Sequence, residues 1–82
     1  MDEFKIRFNK LLVHKFGVHQ NQIRPEAYFT KDLGADMLDI VELMLEFENE
    51  FNIAIPENEA EKLNTFGDAE TYIRNVIENA DS

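Results

Sequence analysis

The chain contains no cysteine, only two prolines and three glycines, and no long uninterrupted run of apolar residues. Without cysteine there are no disulfides, no thiolate metal ligands and no cysteine nucleophile. A transmembrane helix needs about 20 consecutive apolar residues, so the sequence predicts no membrane span. The first residues also lack the pattern of a secretory signal peptide. This composition suits a reducing compartment, and we expect a cytoplasmic protein.

Basic residues are scarce, and they are unevenly distributed. The 82 residues include 17 acidic and 8 basic ones, which gives a net charge of −9. Residues 32–82 hold fourteen of the acidic groups and only two basic ones, Lys62 and Arg74. Such an acidic surface repels nucleic acid and anionic lipid and attracts basic patches on proteins. We therefore expect protein partners with basic patches and no nucleic-acid partner.

The length of the chain is that of one small domain. We therefore treat residues 1–82 as a single domain, and we expect a monomer without a built-in active-site cleft. Apolar residues at helical spacing predict a first helix over residues 2–16, which Gly17 ends as a C′ glycine. Residues 17–35 show no sustained period and predict a long loop that apolar side chains pin to the core.

The central helix is predicted over residues 37–52, because no proline or glycine interrupts them. Asp36 is its expected N-cap, and Asp39 completes a capping box. Beyond Pro56, residues 57–63 predict a short helix of about two turns.

A last helix is predicted from Thr65 and Asp68, which form a second capping motif, and residues 79–82 are expected to fray. These elements predict an all-α fold. It is a small bundle of three main helices and one short helix, with a long loop between the first two helices.

The central helix has more apolar residues than one buried face needs. One stripe at helical spacing faces the core and consists of Ile40, Leu43, Met44, Phe47 and Phe51. A second stripe lies roughly 140° away and is called here the apolar strip: it consists of Leu38, Val41 and Leu45. Two interpretations fit this pattern equally well. Either the apolar strip is a docking surface edged by carboxylates, or the helix is buried on two sides.

Around the start of this helix the sequence resembles the acyl carrier proteins of fatty acid and polyketide synthesis. The matching residues are Leu33-Gly34-Ala35-Asp36, Leu38-Asp39, Val41-Glu42-Leu43, Glu50-Phe51 and Ile55-Pro56. The family's signature there is Asp-Ser-Leu, and its serine carries a 4′-phosphopantetheine arm whose thiol holds the acyl chain. The resemblance covers nearly the whole chain. It implies a type II carrier protein, not an enzyme, which presents a tethered acyl chain to partner enzymes.

The residue that differs is the one that would carry the arm. Met37 stands where the family has serine, and a thioether cannot form the phosphodiester, so no 4′-phosphopantetheine is expected on this chain. The only serine is Ser82, and Thr30 and Thr65 lie outside the motif. Two explanations stay open. Met37 is either an engineered substitution that keeps a carrier unmodified, or the native residue of a diverged paralogue that lost the arm and kept the binding face.

The resemblance also implies two sets of site residues. In the family, acidic residues of the central helix contact a phosphopantetheinyl transferase and acyl-chain-processing enzymes with basic patches, and the matching residues here are Asp36, Asp39, Glu42 and Glu48. The helical pattern adds the apolar strip, Leu38, Val41 and Leu45, to this partner-binding face. Glu57 and Glu59 are expected to lie outside this face. The core, part of which shelters the acyl chain in the family, is expected to include Phe29, Leu43, Phe47, Ile55, Ala60, Leu63, Tyr72 and Ile73.

Other functions fit the residues less well. A small hydrolase lacks a nucleophile and a base, because His14 and His19 have no triad spacing. Asp36 and Asp39 lie one helical turn apart, but no glycine-bearing calcium loop is present, so we predict no metal site. Weak binding of a divalent cation stays open as an alternative. The competing function is an unmodified, carrier-like interaction module.

Overall fold

The structure of the protein is a computed structural model that describes residues 2–80. Within these residues the chain forms α1 (Glu3–Phe16), α2 (Met37–Phe51), α3 (Glu57–Ala60) and α4 (Phe66–Ala80), with a 3₁₀ turn at Gln20–Gln22. No strand forms in this part of the chain, where the one β-type contact is an isolated bridge between Tyr28 and Thr65. The predicted all-α fold, with three main helices and one short one, is confirmed.

The helix ends follow local rules that the sequence already shows. Asp2 caps α1, because its side chain accepts hydrogen bonds from the amides of Phe4 and Lys5. Gly17 ends α1 in the left-handed region, at φ 67°, where glycine carries no steric penalty. At the start of α4, the Thr65 hydroxyl accepts from the Asp68 amide at 3.0 Å, and the Asp68 carboxylate accepts from the Thr65 amide at 3.2 Å. The predicted C′ glycine of α1 and the predicted capped start of α4 are confirmed.

Two element lengths differ from the prediction by more than one residue. Helix α3 ends at Ala60, because the chain tightens there into i→i+3 hydrogen bonds from Lys62 to Glu59 (3.0 Å) and from Leu63 to Ala60 (3.1 Å). Helix α4 continues through Ala80, two residues further than expected. The remainder of the predicted frayed end, residues 81–82, lies outside the described residues.

Aromatic residues form much of the core. Phe8 of α1 stacks on Phe47 of α2 with ring centroids 5.1 Å apart and planes inclined by 2°. Phe29 of the long loop packs against Phe66 of α4 at 5.0 Å. All four rings are fully or almost fully buried. The core therefore joins α1 to α2 and the long loop to α4.

The long loop is fixed by backbone hydrogen bonds to the segment that leads into α4. The amide of Phe29 donates to the Asn64 carbonyl (3.0 Å), while the amides of Phe66 and Gly67 donate to the carbonyls of Ala27 (3.0 Å) and Pro25 (2.9 Å). Ala27 and Phe29 are also buried, which agrees with the prediction that apolar side chains hold the loop against the core. The Ala35 amide in turn donates to the Phe29 carbonyl (3.0 Å), which links the anchored part of the loop to the residues before α2.

Candidate functional site

The start of α2 is held by reciprocal hydrogen bonds. The Asp36 carboxylate accepts from the Asp39 amide at 2.9 Å, and the Asp39 carboxylate accepts from the Asp36 amide at 3.2 Å. Just before it, Gly34 has φ 69° and its amide donates to the Thr30 carbonyl at 3.0 Å. The predicted capping box is confirmed. These bonds set the position of Met37, the first residue of α2.

The outer side of α2 presents contiguous apolar side chains to solvent. Met37 is 81% exposed, and the apolar strip is exposed at Leu38 (63%), Val41 (50%) and Leu45 (54%). The opposite stripe is buried at Leu43, Met44, Phe47 and Phe51, as predicted. Of the two interpretations of this helix, burial on two sides is therefore wrong. An exposed apolar stripe of this kind is typical of a binding surface.

A cavity of about 710 Å³ lies between α2 and α3, and it reaches Met37 at the start of α2. Its α2 wall is largely apolar and includes Ile40, Val41, Met44 and Leu45. The facing wall comes from α3 and the segments around it, with Ile55, Ala60, Leu63 and two carboxylates, Glu57 and Glu61. The cavity thus combines apolar walls with an acidic side. Thr30 is the one lining residue that bears a hydroxyl group.

The eight residues expected in the core or acyl pocket divide among three places. Three of them, Ile55, Ala60 and Leu63, line the cavity between α2 and α3. Four are fully buried in the core and do not line it, namely Phe29, Leu43, Phe47 and Ile73. Tyr72 is half-buried beside a second, more open depression near Pro25, and burial together with the charge of Glu59 raises its pKa.

Sequence reasoning missed several cavity residues. Met44 was placed on the core stripe, where it is indeed 5% exposed, but it also lines the cavity. Glu57 was expected outside the partner-binding face of α2, and it belongs to α3, where it lines the cavity between α2 and α3. Helical spacing could have indicated the edge position of Met44, whereas nothing in the sequence places α3 beside α2.

The carboxylates around α2 differ in their partners. Glu42 pairs with Lys15 of α1, whose Nζ lies 2.6 Å from Glu42 Oε1. Glu48 Oε2 accepts a hydrogen bond from the Ile55 amide at 2.7 Å. Among the described residues, no cation pairs with Glu57 or Glu61, and both are exposed. The carboxylates around α2 and the cavity are therefore not equally available to a partner.

The described residues offer little for catalysis or metal binding. Residues 2–80 contain no group of three or more His, Cys, Asp or Glu side chains placed to hold a metal ion. In the same part of the chain, none of the helices has the length and apolar character that crossing a membrane requires. At the mouth of the cavity, Met37 presents a thioether, which has no hydroxyl to esterify. The exposed apolar strip, the adjoining cavity and the acidic edges together suit the binding of another molecule.

Known proteins are similar to this chain in sequence and in fold. A family model described as a phosphopantetheine attachment site matches residues 9–73. An acyl carrier protein from Chlorobium phaeovibrioides is 49% identical over 71 residues, which cover 87% of this chain and 91% of that protein. A solved structure of the acyl carrier protein from Enterococcus faecalis is 29% identical, has a TM-score of 0.75, and matches over 89% of this chain and 96% of that one.

Proposed function

The chain belongs to the acyl carrier protein family, and from that premise we propose that it presents the carrier fold to enzymes of fatty acid or polyketide synthesis, with Met37 at the attachment position. Members of this family are carriers and not enzymes. The expected partners are a phosphopantetheinyl transferase and acyl-chain-processing enzymes with basic patches. We place the protein in the cytoplasm as a monomer.

The position of Met37 is the observation that carries this proposal. Met37 is the first residue of α2, it is 81% exposed, and it lies at the cavity between α2 and α3. A modifying enzyme can reach a side chain placed in this way, and the apolar cavity walls suit an acyl chain. The side chain present does not fit the arm, because a thioether cannot form a phosphodiester. The chain as it stands therefore has the carrier's surface without its attachment chemistry.

The competing function is an interaction module that binds carrier partners without transporting anything. Met37 itself favours this second function, since it removes the attachment chemistry while the exposed apolar strip remains. The two proposals share the same docking surface. They differ in whether the surroundings of residue 37 still suit the transferase.

A modification assay separates the two functions. The unaltered chain, incubated with coenzyme A and a phosphopantetheinyl transferase, should gain no mass. Met37→Ser should gain one phosphopantetheine group, measured by intact-protein mass spectrometry. Leu38→Ser is the matched control, because it places a hydroxyl one residue further along at another exposed position (63% in the present side chain). It should stay unmodified.

Each outcome has a clear reading. Mass gained by the unaltered chain would show that the attachment position is not Met37, and Thr30→Ala would then test the one hydroxyl that lines the cavity. A Met37→Ser variant that stays unmodified would favour the interaction module. Equal modification of Met37→Ser and Leu38→Ser would mean that the transferase recognises an exposed hydroxyl and not this site.

A further inference from the structure

Lys15, near the end of α1, reaches the acidic side of α2. Its Nζ is 2.6 Å from Glu42 Oε1 and 3.8 Å from Glu46 Oε2. The lysine side chain is only 18% exposed, whereas the Glu42 side chain is 50% exposed. The hydrogen bond to Glu42 raises the pKa of Lys15. An internal cation thus already lies against the α2 face.

The two carboxylates differ in what they offer to a partner. Glu46 Oε2 is buried and makes no hydrogen bond, and Lys15 is the cation near it in the described part of the chain. Glu42 is the half-exposed member, and it flanks the apolar strip. A Lys or Arg of a partner that approaches Glu42 therefore meets a carboxylate that already has a short ion pair. Any gain from the new contact is reduced by the loss of the old one.

We propose that Lys15 is a specificity-determining residue that competes with the partner's cations for Glu42, so that docking on this side of α2 exchanges one ion pair for another. The inference rests on the proposed docking function of α2. A phosphopantetheinyl transferase is expected to contact Glu42, so its basic groups must displace Lys15. Only basic groups that bind on the opposite side of the apolar strip, where Glu57 and Glu61 have no cation among the described residues, avoid this exchange. Lys15 then lowers affinity for partners that depend on Glu42 alone.

The test uses a phosphopantetheinyl transferase as the binding probe and compares Lys15→Gln with Lys10→Gln. Both substitutions remove one positive charge from α1, but Lys10 is exposed and forms no ion pair among the described residues. Lys15→Gln should bind about two- to fivefold more tightly than Lys10→Gln, as expected for release of a half-exposed carboxylate. In a Glu42→Gln background this difference should disappear, because the freed carboxylate is absent.

A second measurement needs no substitution at Lys15. Amine acetylation, followed by mass spectrometry of the unaltered chain, should show Lys15 protected in the free protein and more reactive in the complex. Lys10 should show no such increase. If Lys15 stays protected in the complex, the exchange does not occur and the inference is overturned, even should Lys15→Gln fail to fold.

The outcomes also separate this inference from the docking function. If the unaltered chain binds the transferase and Lys15→Gln matches Lys10→Gln, the role of Lys15 is wrong while docking stands. If the unaltered chain does not bind, or if Val41→Asp on the apolar strip leaves binding unchanged, the docking function itself fails, and the inference fails with it.

Discussion

Glu48 Oε2 accepts a hydrogen bond from the backbone amide of Ile55 at 2.7 Å. This bond joins the last turn of α2 to the extended link that leads into α3. Both residues line the cavity, so the bond fixes the end of the cavity opposite Met37. The family resemblance implies that Glu48 contacts partner proteins. Its half-buried carboxylate also has a structural partner within the protein.

The first prediction is that removal of this acceptor destabilises the fold. Glu48→Ala should lower the free energy of unfolding by about 1–2 kcal/mol, because it leaves the Ile55 amide without its acceptor. Glu48→Gln keeps an oxygen and should lose less. Asn49→Ala, at the exposed neighbouring position, is the control and should change stability by less than about 0.5 kcal/mol. Urea unfolding measures all three, and equal losses for Glu48→Ala and Asn49→Ala would contradict a structural role for this bond.

Features that depend on neighbouring residues could be predicted from the sequence. The capping box of Asp36 and Asp39, the C′ glycine Gly17, and the Thr65–Asp68 cap were each expected and are each present. Each involves atoms within a few residues of one another, so the sequence pattern contains the whole interaction. The buried and exposed stripes of α2 could be predicted for the same reason.

Features that depend on how the helices are placed could not be predicted. Lys15 and Glu42 are 27 positions apart in the chain, and their contact exists only because α1 packs on α2. Helical spacing predicted that Phe47 faces inward. It could not predict whether the ring lies in the core between α1 and α2 or lines the cavity beside α3. That Glu57 lines the cavity could not be predicted either, because its own segment is a helix of only four residues.

The second prediction tests the two sides of α2. Phe47→Ala should cost about 3–5 kcal/mol of unfolding free energy, because the ring is fully buried and stacks on Phe8. Val41→Ala should change stability by less than about 0.5 kcal/mol, since its side chain is half exposed and alanine favours a helix. Urea unfolding of the two variants should therefore give very different midpoints. Similar losses would mean that the apolar strip is packed against the protein and is not available for docking.

The third prediction concerns the contact between α4 and the long loop. A Cβ added at Gly67 would lie 2.9 Å from the Pro25 carbonyl oxygen and 3.1 Å from Pro25 Cβ. Backbone must shift to relieve this, so Gly67→Ala should destabilise by about 1–3 kcal/mol, although alanine is the better helix former. Thr71→Ala, at an exposed position one turn later, controls for helix propensity and should be neutral or slightly stabilising. Stabilisation by Gly67→Ala would show that the loop around Pro25 can shift at little cost. The loop would then not hold the start of α2 in a fixed position.

Carboxylates on the α3 side of the cavity provide the final prediction. Glu57 and Glu61 line the cavity, are exposed, and have no cation partner among the described residues. A basic group of a partner can therefore pair with Glu57 or Glu61 without displacing another cation. At Glu42 it would have to displace Lys15. Charges of this kind act mainly by steering encounter and contribute less to the lifetime of the complex.

Glu57→Gln with Glu61→Gln should therefore slow association with a basic partner, such as a phosphopantetheinyl transferase, by about two- to tenfold at low salt. The effect should shrink as salt approaches about 0.5 M, because exposed charges are then screened over a few ångströms. Glu3→Gln with Glu78→Gln is the matched control, since both residues are exposed, lie outside the cavity and form no ion pair among residues 2–80. Stopped-flow association rates at several salt concentrations compare the two double variants. A recognition surface requires that the position of the carboxylates affects the association rate, and not only their number. Equal slowing by the two double variants would therefore mean that the association rate depends only on the net charge of −9.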